Sequence, residues 1–181
     1  MILCLYIERY FRIGSNAKNL ERTEEDKGTT RLIGLIFVLS LIILALAPIL
    51  EYLSFGILYP EDIFLFLGLS GMIIGVLIRI EAVRELGIYY TSVLKTFEDQ
   101  NVIQDGMYRY IRHPGYLGNL ILFISAAIAV RNFIIIVLIL LILIPSYLKR
   151  IQSEELMLIK KFGNEYLAYK ACTRKLIPLL F

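Results

Sequence analysis

Residues 116–130 (YLGNLILFISAAIAV) and 133–148 (FIIIVLILLILIPSYL) are two apolar runs separated only by Arg131 and Asn132. A chain in lipid must satisfy its backbone N–H and C=O groups internally, so charge-free runs of this kind cross as helices. The two-residue polar break predicts a tight helical hairpin turning at a bilayer surface. Its first arm is short. About 15 residues rising 1.5 Å each reach roughly 22 Å, against about 30 Å of hydrocarbon. That arm is expected to tilt, start deeper or cross a thinned region. The hairpin sets the fold class: an all-α, polytopic membrane protein.

Upstream, residues 32–50 carry no charge and are near the length a crossing helix needs. Residues 63–78 form a second run, closed by Arg79 and extending to Val83, with Arg79 and Arg84 expected to reach toward headgroups. Within it, Gly71 and Gly75 form a small-xxx-small pair that lets two helices approach closely. No strand precedes these glycines, so a phosphate loop is the weaker reading. Downstream, Leu156, Ile159, Phe162, Tyr166 and Leu167 recur at roughly helical spacing among Glu154, Glu155, Lys160, Lys161 and Glu165. This pattern predicts an amphipathic helix along the membrane face, ended by Pro178. The organisation is one membrane domain over 1–181. It has spans at 32–50 and 63–83, a polar loop at 84–114, the hairpin at 115–148 and an interfacial tail at 149–178. About four to five transmembrane helices are expected.

The chain is 58% hydrophobic, with a mean hydropathy of +0.71. Soluble domains sit nearer 45–50% apolar. The net charge of +3 comes from Lys and Arg near the apolar blocks, which suits a membrane surface and excludes a nucleic-acid footprint. Cys4 and Cys172 are too far apart in sequence to suggest a zinc site or a disulfide framework, and no metal is expected. Residues 1–13 are broken by Glu8, Arg9 and Arg12 and lack a small-residue cleavage site, so no signal peptide is predicted. The link 51–62 carries acids and neither Lys nor Arg. The N-terminal segment, the 81–114 stretch and the tail each carry several basic residues. The positive-inside rule therefore puts these three on the cytoplasmic side, where loop and tail meet at the hairpin's mouth.

His113 is the single histidine. Pro114 after it suits the first position of a helix, which puts His113 at the N-terminus of the hairpin's first arm. Free N–H groups, the positive end of the helix dipole, Arg109 and Arg112 make a cationic nest there. It fits a carboxylate or phosphate, and equally a set of lipid-headgroup anchors. Glu154 and Glu155, at the far end of the same hairpin, are expected to face it. Opposed charges suit a zwitterionic ligand, and a structural salt bridge fits as well.

The run Gly106-Met107-Tyr108-Arg109-Tyr110-Ile111-Arg112-His113-Pro114-Gly115-Tyr116-Leu117-Gly118 resembles the signature of the isoprenylcysteine carboxyl methyltransferase family. Glu154-Glu155-Leu156 followed by Phe162-Gly163-Asn164-Glu165-Tyr166-Leu167-Ala168-Tyr169 is similar to that family's second block. Leu86-Gly87 and Tyr90-Thr91 match a weaker entry motif. The resemblance covers roughly residues 80–178. It implies an S-adenosylmethionine-dependent enzyme whose cofactor is held at the cytosolic face, with no soluble methyltransferase fold. By similarity, the block holding Tyr108, His113, Tyr116, Leu117 and Asn119 and the block holding Tyr147, Glu154 and Glu155 wrap the cofactor. His113, Tyr116 and Glu154 would touch its methionine or ribose parts, and Val93 and Leu94 the adenine surroundings. Lys175, with Arg174 beside it, stands where the family tends to have Arg, which weakens the transfer of a bidentate carboxylate clamp to the tail.

The implied chemistry is O-methylation of a lipophilic, isoprenylcysteine-type carboxylate, which is anionic at neutral pH and needs no general base. Arg109 and Arg150 are the expected holders of that carboxylate. Glu154 joins them as a catalytic candidate, and His113 positions the cofactor. A membrane N-methyltransferase acting on a phospholipid amine fits the same residues, with His113 as base. So does a non-enzymatic membrane scaffold that kept the hairpin.

Overall fold

The computed structural model describes residues 26, 28–90 and 101–177. Residues 1–13, Cys4, Val93, Leu94 and Pro178 lie outside the described residues. Among those described, the named elements are all helical, and only two isolated β-bridges occur.

The first span is helix α1 (Thr29–Ala45) followed, after Leu46, by α2 (Ala47–Tyr52). Pro48 sits in the first turn of α2, where its missing N–H leaves no helical acceptor unpaired. Helix α3 (Glu61–Leu86) opens on Glu61 and Asp62, which favour the positive end of the helix dipole, and closes at Gly87 with φ 53°. The hairpin is α4 (Pro114–Ala129) and α5 (Phe133–Phe162), and α6 (Asn164–Cys172) follows. By length and composition, Thr29–Tyr52, Glu61–Leu86 and Phe133–Phe162 can each cross a bilayer. Helix α4, at 16 residues, is as short as its sequence predicts. Leu35, Phe66, Ile73 and Leu141 are all more than half exposed, as side chains facing lipid are. The architecture is that of a polytopic membrane protein.

Glycines set how closely α3 and α4 pack. A Cβ on Gly75 would stand 2.8 Å from the Gly118 carbonyl oxygen, and one on Gly118 would stand 2.8 Å from that of Gly75. Backbone meets backbone here, the use expected of small residues between membrane helices. At the hairpin's tip, Arg131 ion-pairs with Glu51 and Glu61. Leu58 N–H donates to the Arg131 carbonyl at 2.7 Å, and Asn132 Nδ2 to that of Phe55 at 2.8 Å. Asn132 Oδ1 also caps α5 by accepting from Ile134 N–H at 3.1 Å. The tip is thereby stitched to the link between the first two spans.

Two expectations are corrected. The tail does not begin a new helix at residue 149. Helix α5 continues unbroken to Phe162: no glycine interrupts it, and it accommodates Pro145 in its interior. Its amphipathic side, with Arg150, Ile151 and Glu155, is buried in the protein, while Leu156 and Leu167 are exposed. The break comes at Gly163, whose φ of 54° and ψ of −125° suit glycine. The second correction concerns Arg79. It does not extend toward headgroups but turns inward, donating to the Gly115 carbonyl at 3.1 Å and to Tyr90 Oη.

Candidate functional site

At the end of the hairpin away from Arg131, a cavity of about 240 Å³ opens among α1, α3, α4, α5 and α6. Its floor is the entry to α4. Pro114 is the first residue of that helix and His113 its N-cap, as predicted, but the imidazole makes no capping bond. Instead it stacks on Tyr116, with centroids 5.6 Å apart, and its Nε2 lies 3.4 Å from Glu155 Oε1.

Two neighbouring glutamates have different surroundings. Glu155 is buried, accepting from Arg112 Nε at 2.8 Å and from Lys170 Nζ at 2.7 Å. Arg112 also donates to the Thr173 and Lys170 carbonyls. Backbone bonds from Arg112 N–H to Arg174 O (2.8 Å) and from Arg174 N–H to Tyr110 O (3.0 Å) lay the chain after α6 beside residues 110–113. This is a strut joining hairpin mouth to tail. Glu154, one residue earlier, lines the cavity and accepts from Tyr116 Oη at 2.5 Å.

Tyr116 Oη in turn accepts from Arg150 Nε at 3.2 Å, and Asn119 Nδ2 donates to Tyr147 Oη at 3.1 Å. Tyr108 is buried against the Ala82 carbonyl (3.3 Å). Burial pushes its phenol well above the usual range, and the Glu154 and Glu85 carboxylates push the same way, so it stays a neutral donor. Tyr166 also lines the cavity. Its Oη is buried and has no hydrogen-bond partner among the described residues.

Of the residues expected from sequence, Tyr108, His113, Tyr116, Asn119, Tyr147, Arg150 and Glu154 converge on this cavity. Glu155 lies behind it in the strut. Leu117 is half-buried and packs against the hydrophobic core instead. Arg109 is exposed and outside the lining. Sequence reasoning missed Arg79, Tyr166 and the Asp26 contact to Arg150. A cation within an apolar span is by default a functional candidate, and that signal was available for Arg79. Tyr166 was visible in a helical stripe and in the second family-like block, neither of which assigned it to the cavity.

Fold and site together define an integral membrane protein with a tyrosine-rich cavity at the mouth of a helical hairpin. The sequence profile of the isoprenylcysteine carboxyl methyltransferase (ICMT) family matches residues 66–160, more than half of the chain, which belongs to that family. It is 36% identical over 137 residues to a probable protein-S-isoprenylcysteine O-methyltransferase of Oryza sativa subsp. indica, covering 72% of each chain. The protein-S-isoprenylcysteine O-methyltransferase of Schizosaccharomyces pombe is 29% identical over 133 residues, 72% of this chain and 56% of that one. The solved structure of a eukaryotic intramembrane Ras methyltransferase superposes with a TM-score of 0.70 at 21% identity. That match covers 99% of this chain and 64% of the other.

Proposed function

We propose that this chain is a membrane O-methyltransferase that uses S-adenosylmethionine to esterify the carboxylate of an isoprenylcysteine-type acceptor at the cytoplasmic face. The observation that carries the reading is the chain Arg150–Tyr116–Glu154 lining one cavity, with a cation and a carboxylate on either side of a phenol. The residues fit the methyl donor. Glu154 suits its ammonium or ribose hydroxyls, the tyrosine rings suit its aromatic and cationic parts, and Tyr166 Oη is a buried polar atom without a partner among the described residues. When bound, the donor supplies an electrophilic sulfonium methyl group. The acceptor arrives ionised, so the protein needs no base and contributes orientation and partial desolvation. Arg150 orients the acceptor carboxylate, while His113, fixed between Glu155 and Tyr116, shapes the donor's side of the cavity. Arg109, being exposed, has no part in this assignment.

The cytoplasmic orientation rests on charge. The tip end carries Glu51, Glu61 and Asp62 around Arg131, whereas the cavity end carries Lys149, Lys160, Lys161, Lys170, Arg174 and Lys175. The test is methyl transfer by purified protein to N-acetyl-S-farnesylcysteine, a fatty acid and phosphatidylethanolamine, alongside equilibrium binding of S-adenosylhomocysteine. The expected product is the farnesylcysteine methyl ester. Absence of S-adenosylhomocysteine binding, or methylation of the amine alone, overturns the reading.

A further inference from the structure

Arg150 faces the cavity on one side and is gripped from the other by the entry to α1. Asp26 Oδ1 lies 2.9 Å from Arg150 Nη1 and accepts from Thr29 Oγ1 (2.8 Å), Thr30 Oγ1 (2.9 Å) and Thr30 N–H (3.0 Å). The two threonine hydroxyls stand 2.9 and 2.8 Å from the same Nη1. The Asp26 and Arg150 side chains are 2% and 4% exposed, and Asp26 Oδ2 is buried without a hydrogen-bond partner among the described residues. Burial opposes the charge on Asp26. The hydrogen bonds of Thr29 and Thr30 and the nearby guanidinium more than offset this and hold its carboxyl below the usual range, so it is ionised.

The pair joins residues 124 positions apart, and it does not end in the core. It continues through Arg150 Nε to Tyr116 and Glu154, both on the cavity wall. A buried ion pair adds little net stability over an apolar replacement, and what it does supply is a fixed geometry. The position also has an electrostatic effect. During transfer, a carboxylate oxygen forms a bond to the methyl carbon as the carbon–sulfur bond breaks and its electron pair returns to sulfur. The anion and the sulfonium lose charge together. An arginine with unopposed charge would stabilise the ionised acceptor more than this charge-dispersed transition state, and so slow the reaction.

We propose that Asp26 is a positioning residue for methyl transfer. With Thr29 and Thr30 it fixes the Arg150 guanidinium at the cavity wall and offsets its charge, so that Arg150 orients the acceptor carboxylate without trapping it. This rests on Arg150 being the acceptor's contact.

The experiment is steady-state kinetics with N-acetyl-S-farnesylcysteine on the full chain, with S-adenosylhomocysteine binding measured in parallel. Asp26→Asn keeps the size and one acceptor oxygen but removes the charge. The expected result is that acceptor KM and kcat both fall, by about tenfold, while the S-adenosylhomocysteine Kd moves less than about twofold. Asp26→Glu, which keeps the charge, recovers part of kcat. If Asp26→Asn does not yield folded protein, Thr29→Val loosens the same grip while leaving the Asp26 charge, and is expected to lower kcat by a smaller factor with the S-adenosylhomocysteine Kd unchanged; an unchanged kcat overturns the proposal. Unchanged acceptor constants, an acceptor KM that rises, or a Kd that weakens in step with kcat overturns the proposal. Its failure is distinct from that of the underlying reading. If Arg150→Ala methylates at the wild-type rate, the assignment of Arg150 is wrong. If Arg150→Ala is inactive and Asp26→Asn is silent, only the role of Asp26 is.

Discussion

Glu154 and Glu155 adjoin in sequence, yet the structure gives them different work, and two substitutions separate it. Glu155 holds Arg112 and Lys170 and lies beside the His113 ring in a strut whose Arg112 and Glu155 side chains are buried. Glu155→Ala leaves a buried guanidinium unbalanced, a loss of about 3–5 kcal/mol, and the expected readout is a large drop in Tm. Glu154 is partly solvated and faces the cavity, so Glu154→Gln is expected to keep Tm within a few degrees. S-adenosylhomocysteine binding should weaken about tenfold or more, measured by titration. Equal effects of the two on Tm would contradict the division. The arginines divide similarly. Arg150→Ala is expected to lose at least about a hundredfold in turnover while S-adenosylhomocysteine still binds, and Arg109→Ala to stay within about twofold of wild type in the same assay. At this scale the sequence was informative about which residue types gather at the hairpin's mouth. It could not assign neighbours to opposite sides of one helix turn, because the choice between strut and cavity depends on Lys170 and Thr173 folding back.

Among the helices, the apolar runs were legible because lipid leaves a spanning chain few options. The hairpin, its short first arm and the break at Arg131 and Asn132 all follow from hydropathy alone. The end of the second arm did not, because an amphipathic stripe reads the same whether its apolar side meets lipid headgroups or protein. Helix α5 keeps its stripe against the cavity and tail, and only Gly163 ends it. The close approach of α3 and α4 is the element-scale feature most exposed to test. Gly75→Ala places a methyl group 2.7 Å from the Leu122 backbone nitrogen and 2.8 Å from the Gly118 carbonyl oxygen. Neither can yield without separating the helices. Overpacking of this kind costs about 1–3 kcal/mol. Because Arg79 reaches Gly115 across the same seam, activity should fall along with Tm. Gly34→Ala, where an added Cβ meets nothing within 4 Å, is the control expected to leave both unchanged. If the two variants behave alike in thermal unfolding and in methyl transfer, the seam is not what positions the floor of the cavity.

For the whole molecule, charge and geometry make one claim that either could contradict: the cavity and the tail share a side of the membrane, and the hairpin's tip lies on the other. The tip is acidic and closed by the Arg131 ion pairs, so there is little reason for it to carry a site. The cavity end is basic, suiting the anionic cytoplasmic leaflet and an acceptor whose lipid anchor is in the bilayer while its carboxylate stays in water. Cys172, exposed at the end of α6, marks that end, and Ser54, in the turn after α2, marks the other. In sealed vesicles of known orientation, on a background with Cys4→Ala, Cys172 should react with a membrane-impermeant maleimide only from the cytoplasmic face. With Cys172→Ser added, Ser54→Cys should react only from the opposite face. Labelling of both positions from one side would mean an even number of crossings between them. That result would remove the basis for placing the acceptor carboxylate at the cytoplasmic surface, while leaving the chemistry of the cavity as it stands.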